Sequence, residues 1–161
     1  MRRARELARN AELLTDVGRR LVELAGVEPG MDLLDVACGT GNAAIPAAQA
    51  GARATGVDLS ADMLAVARER AADYMVELDW VEAHPRELPF GDESFDRVVS
   101  AFPPEDELVI PEMRRVCRPG GAIAFAIWSA NGPAAEAAKV ERGELDWNGR
   151  AREYLLAVAP R

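Results

Sequence analysis

Hydrophobic positions in this chain follow two kinds of spacing, one typical of amphipathic helices and one typical of buried strands. Leu7, Leu14 and Leu21 recur at helical intervals and predict one kinked helix or two short ones over residues 3–25, with Gly18 as the weak point. Nearly continuous apolar runs predict strands at 32–37, 53–58, 78–81, 95–100 and 122–128, with helices at 42–50 and 60–72. This alternation predicts an α/β fold with a doubly wound, mostly parallel sheet and helices on both faces.

Three further elements are predicted after residue 110. Pro111 predicts the start of a short helix that carries Met113, Val116 and Cys117 inward. Residues 134–141 predict a helix, 142–152 show no convincing strand, and 153–159 predict a final strand. We therefore expect a single domain over 1–161, with a helical segment at 1–28, a cofactor-binding core at 31–128 and a shortened C-terminal part at 129–161.

Composition narrows the class of protein. The 161 residues suffice for one buried core. No apolar run reaches the roughly 18 residues of a membrane span, and the basic start of the chain leads into a mixed helix rather than a signal peptide. We therefore expect a cytoplasmic protein. A net charge of −8 disfavours nucleic acid as the partner and favours a small molecule. Cys38, Cys117 and the single histidine lack the spacing of a disulfide framework or a metal site.

The segment 33–42 carries the most chemical information. Apolar strand residues run into Gly39 and Gly41, which permit a sharp turn and a close approach to a ligand before a helix begins. Together with Ala44 the two glycines also fit the dinucleotide fingerprint G-x-G-x-x-G/A, with Asp58 near the expected position of a ribose acid. Asp35 instead favours a positively charged ligand, such as the sulfonium and ammonium of S-adenosylmethionine, because a carboxylate would oppose a pyrophosphate. Its alternative role is to cap a helix or loop.

Four motifs in order support one family resemblance. They are Leu33 to Asn42; Gly56-Val57-Asp58-Leu59-Ser60 with Met63-Leu64; Leu88-Pro89-Phe90 with Ser94-Phe95-Asp96; and Arg115 to Gly121. With these motifs at this spacing, the chain resembles a class I S-adenosylmethionine-dependent methyltransferase of the small-molecule type, similar to the ubiquinone and menaquinone biosynthesis methyltransferases. The resemblance extends from about Leu21 to Trp128 and implies a Rossmann-like methyltransferase fold.

The resemblance also implies a set of cofactor-binding residues. They are Asp35, Ala37, Gly39, Gly41, Asp58, Leu59, Met63, His84 and Ser100. Asp58 is expected to accept hydrogen bonds from both ribose hydroxyls, or alternatively to act at the start of the following helix. Leu59 and Met63 are expected to border the adenine, and the backbone carbonyl near Ser100 to meet the methionine ammonium. His84 stands where similar enzymes commonly carry an Asp that accepts the adenine amino hydrogen.

The implied activity is methyl transfer from S-adenosylmethionine to a small-molecule acceptor. No catalytic residue or metal ligand is evident, which is compatible with an in-line displacement that mainly needs alignment of the reactants. The competing hypothesis is a protein with the same fold that transfers no methyl group, and His84 and the shortened C-terminal part favour it. The short C-terminal part also predicts a cleft that is open on the acceptor side. We expect a large substrate, or a homodimer that associates through the strand edge at 154–159, to complete it.

Overall fold

The computed structural model describes residues 2–128, 139–147 and 150–161. The elements in chain order are α1 (Arg2–Leu24), β1 (Asp32–Val36), α2 (Ala44–Gln49), β2 (Arg53–Asp58), α3 (Ala61–Asp73), β3 (Asp79–Glu82), β4 (Phe95–Ala101), α4 (Val109–Val116), β5 (Cys117–Trp128), β6 (Lys139–Trp147) and β7 (Arg150–Pro160). The helices and strands predicted as far as β4 are confirmed, and their observed ends lie within two residues of the predicted ones.

Seven strands form one sheet in the order β3-β2-β1-β4-β5-β7-β6. The first five strands in this order pair in parallel, and β7 runs antiparallel to both β5 and β6. The predicted doubly wound, mostly parallel sheet is thereby confirmed. The strand order reverses between β1 and β4, and in such sheets the crevice at the carboxyl ends of these strands is the usual place for a ligand.

Both faces of the sheet are covered, which explains the continuous apolar runs in its central strands. On one face, Leu21 of α1 packs in a buried cluster with Leu33 of β1. On the other face, Met113 of α4 packs in a second cluster with Leu34. Successive residues of β1 thus point to opposite sides of the sheet, and each fully buried leucine contributes about 1.5–3 kcal/mol.

Helix α1 is continuous, and Gly18 allows close packing instead of breaking the helix. A Cβ atom built on Gly18 would overlap the carbonyl oxygen of Asn42, so only glycine lets α1 approach the loop after β1 this closely. The helix is terminated at Gly26. Gly26 has a φ of +67°, and the amides of Gly26 and Val27 bond back to the last turn at 3.0 and 3.3 Å, which closes a Schellman motif.

Helix α4 and strand β5 begin earlier than predicted. Helix α4 starts at Val109 rather than at Pro111, and β5 starts at Cys117 rather than at residue 122. The pairing of β5 with β4 is irregular over this first stretch. Gly121 permits the close approach, because a Cβ atom there would lie 2.6 Å from the carbonyl oxygen of Asp96.

Strands β6 and β7 form an antiparallel pair that the sequence analysis only half predicted. The final strand predicted at 153–159 is confirmed within β7. The helix predicted at 134–141 is wrong for 139–141, which belong to β6, while 134–138 lie outside the described residues. Residues 142–147, where no strand was expected, continue β6. Charged residues dominate β6, and such residues are common in edge strands, where they obscure the apolar pattern.

The position of β7 corrects one expectation. It pairs with β5 on one side and with β6 on the other, so residues 154–159 do not offer a free sheet edge. The free sheet edge expected there is therefore wrong, and the homodimer stays a prediction that needs another surface. Among the described strands, β3 and β6 are the outermost ones.

No helix in the described ranges combines the length and the apolar character needed to cross a membrane. No group of three or more His, Cys, Asp or Glu side chains in these ranges is placed to hold a metal ion. Cys38 and Cys117 are buried free thiols. Burial raises the pKa of both, so both stay protonated near neutral pH.

Candidate functional site

The carboxyl ends of β1, β2 and β4 lie side by side at one edge of the sheet. Residues 37–43, which connect β1 to α2, form a turn that we call the glycine loop. Two non-glycine residues in the left-handed region mark this edge, namely Ala37 after β1 (φ +54°) and Phe102 after β4 (φ +60°). Such backbone conformations cost on the order of 1–3 kcal/mol each, and they concentrate at ligand sites.

The two glycines of the loop face different surroundings. Gly39 has a φ of +55°, and the nearest atom to a Cβ built there is Asn42 Nδ2 at 3.8 Å, so the space in front of it is open. Gly41 has a φ of +85°, and a Cβ there would lie 2.8 Å from the ring of Trp80 and 3.0 Å from Ile45. Gly39 therefore can face a ligand, whereas Gly41 is required by packing within the protein.

Asp58 ends β2, and its carboxylate holds two backbone amides. Oδ2 accepts a hydrogen bond from the amide of Gly39 at 2.8 Å, and Oδ1 accepts one from the amide of Ser60 at 2.9 Å. These contacts tie the glycine loop to the start of α3, which matches the alternative role considered above. Each carboxylate oxygen has a second lone pair, and the residue is half-buried, so Asp58 can also accept from ribose hydroxyls. That role stays a prediction.

Asp35 lies under the other end of the loop. It is 1% exposed, and its Oδ2 accepts a hydrogen bond from the amide of Ala44 at 2.8 Å. The capping role considered as an alternative is therefore present. Burial raises the pKa of Asp35 to about 7, although the amides of Ala44 and Ala43 oppose the shift. Its carboxyl group gains negative charge only near neutral pH and above, and its contact with a cofactor stays a prediction.

Apolar side chains next to Asp58 are unusually exposed. Leu59 is 58% exposed and Met63 is 44% exposed, at the start of α3. Ser60 caps this helix, because its hydroxyl accepts a hydrogen bond from the amide of Met63 at 3.3 Å. The cap fixes the backbone at the start of α3, directly after Asp58 in the chain, where these two apolar residues lie.

Ser100, near the end of β4, is fully buried. Its hydroxyl donates a hydrogen bond to the carbonyl oxygen of Val36 at 2.6 Å and so links the ends of β4 and β1. The side chain is used within the protein. Only its main chain remains for the predicted contact with an ammonium group.

His84 is exposed in the loop after β3. This loop stays close to Asp58, because the amide of Ala83 donates to the carbonyl oxygen of Asp58 at 3.1 Å. The amide of Arg86 donates to Nδ1 of His84 at 3.3 Å. A neutral ring that accepts at Nδ1 carries its hydrogen on Nε2 and presents a donor there. The predicted acceptor role toward an adenine amino group would thus require this contact to break.

Arg70, which was not predicted as a site residue, bonds to the glycine loop from α3. Its guanidinium contacts Thr40, Asn42 and Thr15 at distances of 2.6–3.0 Å. The positions of Met63, Ala67 and Arg70 on α3 correspond to i, i+4 and i+7. This spacing places Arg70 on the same helix face as Met63 and was the available signal.

An aromatic cluster, also not predicted from the sequence, lies at the ends of β4 and β5. The ring of Phe102 stacks on Trp128 with centroids 4.2 Å apart, and it meets Tyr154 edge-on at 6.2 Å. The guanidinium of Arg152 lies 3.9 Å from the centroid of the Trp128 ring. Phe102 follows β4, Trp128 ends β5, and Tyr154 of β7 pairs with Trp128. Aromatic residues at the ends of neighbouring strands were the signal available in the sequence.

A separate groove of about 1000 Å³ lies between α3 and the amino ends of β2 and β3. Its lining includes Arg53, Met75 and Asp79 but neither the glycine loop nor Asp58. The residues predicted for a cofactor are at the other end of these strands, so this groove is not part of the candidate site.

Comparison with known proteins agrees with this geometry. The family described as "Methyltransferase domain" matches residues 33–121, which are more than half of the chain. The chain belongs to this methyltransferase family. The matched segment begins in β1 and ends in β5, and it includes the glycine loop and Asp58. The predicted resemblance to small-molecule methyltransferases of class I is thereby confirmed.

Three curated relatives illustrate the similarity. An uncharacterized protein of Mycobacterium tuberculosis is 41% identical over 125 residues, or 75% of this chain and 46% of that protein. A demethylmenaquinone methyltransferase of Renibacterium salmoninarum is 37% identical over 69% of this chain and 47% of its own. A malonyl-(acyl-carrier protein) O-methyltransferase of Pectobacterium atrosepticum is 39% identical over 91% and 57%, respectively. The chain spans about half the length of the curated relatives it matches.

Solved structures share the fold. A Bacillus halodurans protein superposes with a TM-score of 0.76 over 88% of this chain and 96% of its own, at 18% identity. At this level of identity the likeness concerns the fold alone.

Proposed function

We propose that this chain binds S-adenosylmethionine at the carboxyl ends of β1, β2 and β4 and transfers its methyl group to a small-molecule acceptor. The arrangement around Asp58 carries the proposal. A half-buried carboxylate with spare acceptor capacity lies beside Leu59 and Met63, which are 58% and 44% exposed. A nucleoside fits these groups, because its hydroxyls donate to the carboxylate and its base covers the apolar side chains.

The glycine loop suits the amino-acid end of the same cofactor. Open space in front of Gly39 leaves room for a ligand close to the backbone. Asp58, together with Asp35 above about pH 7, gives this edge negative character, which favours a ligand with positive charge and disfavours a pyrophosphate. S-adenosylmethionine supplies a methyl group on a positively charged sulfonium, so its charge matches the site.

The contribution of the protein to the reaction is alignment of donor and acceptor and exclusion of water. Orientation alone can supply about 7–11 kcal/mol of barrier reduction. Among the described residues, the single histidine is exposed and already bonded through Nδ1, which makes it a poor general base. We therefore expect an acceptor that is already nucleophilic, such as an amine or an ionised oxygen. The aromatic cluster around Trp128 supports an apolar acceptor side.

Calorimetric titration with S-adenosylmethionine and with its demethylated product tests the proposal. The variant Asp58→Asn loses at least one charge-assisted hydrogen bond, so its affinity should fall about 10-fold or more. Asp62→Asn makes the same chemical change at an exposed position of α3 and should bind like the unsubstituted chain. Equal affinity of all three proteins, with each folded by circular dichroism, would refute the role of Asp58.

A further inference from the structure

Three elements that are distant in the chain meet at one guanidinium group. Nη1 of Arg70 donates to the carbonyl oxygen of Thr40 at 2.7 Å, to Thr40 Oγ1 at 2.6 Å and to Asn42 Oδ1 at 3.0 Å. Nη2 donates to Thr15 Oγ1 of α1 at 2.6 Å. Arg70 thus joins α3, the middle of the glycine loop and α1.

We infer that Arg70 is a positioning residue for the cofactor, and this inference rests on the proposed function. It holds the glycine loop in the conformation that binds the amino-acid end of S-adenosylmethionine, and it does so through Thr40 and Asn42.

The need for such a contact follows from the loop itself. Gly39 and Gly41 lose more conformational entropy on ordering than other residues do, so the loop between them requires external contacts to stay in one conformation. Asp58 holds the amide of Gly39, and Asp35 holds the amide of Ala44. The carbonyl and side chain of Thr40 lie between these two anchors, and Arg70 bonds to both groups.

Helix α3 itself depends little on this contact. Leu64, Ala67 and Ala71 anchor the helix in the core, and each is at most 4% exposed. Loss of the guanidinium should therefore loosen the loop far more than it unfolds the domain. A positioning role therefore predicts a looser loop in a folded domain, whereas a general structural role predicts loss of the fold.

The residue type also fits the role. The acceptors are all uncharged oxygens, and they lie on two different elements. A planar guanidinium with five N–H donors can reach both elements at once, whereas the single ammonium of lysine cannot. Arg70→Lys should therefore restore only part of the contact.

The test compares Arg70→Met with Arg68→Met, which removes the same charge from an exposed position of the same helix. Without ligand, amide hydrogen exchange of residues 39–45 should be about 10-fold faster or more in Arg70→Met. Its dissociation constant for S-adenosylmethionine should rise by about the same factor. Arg68→Met should change neither quantity by more than about twofold, as expected for a surface substitution. Arg70→Lys should fall in between, and it supplies the same comparison if Arg70→Met does not fold.

Each outcome decides the inference. Unchanged exchange in a folded Arg70→Met variant would overturn it, as would a loosened loop with unchanged affinity or an equal loss in Arg68→Met. No binding by the unsubstituted chain would instead overturn the proposed function and the cofactor part of the inference. The exchange measurement would then still decide whether Arg70 holds the loop.

Discussion

Replacing Asp35 with asparagine separates the capping role of this residue from its charge. The carboxylate is 1% exposed and accepts a hydrogen bond from the amide of Ala44 at 2.8 Å. The carbonyl oxygen of asparagine can keep that bond, because it is also an acceptor of similar shape. The substitution therefore removes mainly the buried charge.

The sign and size of the effect follow from the pKa of Asp35. Burial raises this pKa from the ordinary 3.8 to about 7 in the folded chain. Between these values the folded chain binds a proton that the unfolded chain has lost, so stability falls as pH rises and levels off above about 7. A span of about 3 pH units at about 1.4 kcal/mol per unit gives a loss of up to about 4 kcal/mol. Asp35→Asn should not show this loss.

Urea unfolding at several pH values between 4.5 and 8.5 (about one unit apart) measures the effect. Relative to the unsubstituted chain, Asp35→Asn should gain free energy of unfolding as pH rises and should be clearly more stable above pH 7. Asp62→Asn, at an exposed position, serves as the matched control. Parallel stability curves for Asp35→Asn and the unsubstituted chain would refute the reasoning.

The same variant should lose affinity for S-adenosylmethionine above pH 7, where the unsubstituted chain carries the negative charge. The demethylated product lacks the sulfonium charge, so its affinity should change less. If both ligands bind the variant as they bind the unsubstituted chain, Asp35 acts only as a cap.

Two further predictions concern backbone conformation. Gly41→Ala should destabilise the domain by about 2–5 kcal/mol, because the new side chain combines left-handed backbone strain with overlap of Trp80. Gly39→Ala should cost only about 1–2 kcal/mol of stability, and it should mainly weaken S-adenosylmethionine binding. Urea unfolding and calorimetry measure the two effects, and an unaltered affinity in Gly39→Ala would remove that residue from the site. Met75 ends α3 at a φ of +54° and is 91% exposed, so Met75→Gly should stabilise the protein by about 0.5–1 kcal/mol. A lower melting temperature in that variant would contradict the inference that the backbone of Met75 is strained.

The parallel core was predictable because the signals for its strands and helices lie within the sequence of each element. Strands such as β1 are buried on both faces and therefore appear as continuous apolar runs, and Ser60 and Gly26 mark the ends of helices through their own chemistry. Strand β6 was not predictable in this way. Its residues are largely charged, and it forms because β7 pairs with it along its whole length.

The candidate site shows the same division. The glycines, Asp35 and Asp58 stand out in the sequence because their residue types and spacing are informative. The contacts of Asp35 and Asp58 are not visible in the sequence, because the amides that they bind belong to other elements. Arg70 was missed because its partner Thr15 lies 55 positions away along the chain. Only the packing of α1 and α3 around the loop brings the two side chains together.

The most direct test of the account is an amide NMR titration with S-adenosylmethionine. We predict chemical-shift changes at Ala37–Gly41, Asp58–Met63 and Ser100–Phe102, the carboxyl-end residues of the proposed site. Residues of the amino-end groove, such as Arg53, Met75 and Asp79, should not respond. The absence of shifts at ligand concentrations up to about 1 mM, the upper end of usual Michaelis constants, would contradict the account. Shifts confined to the groove would contradict it as well.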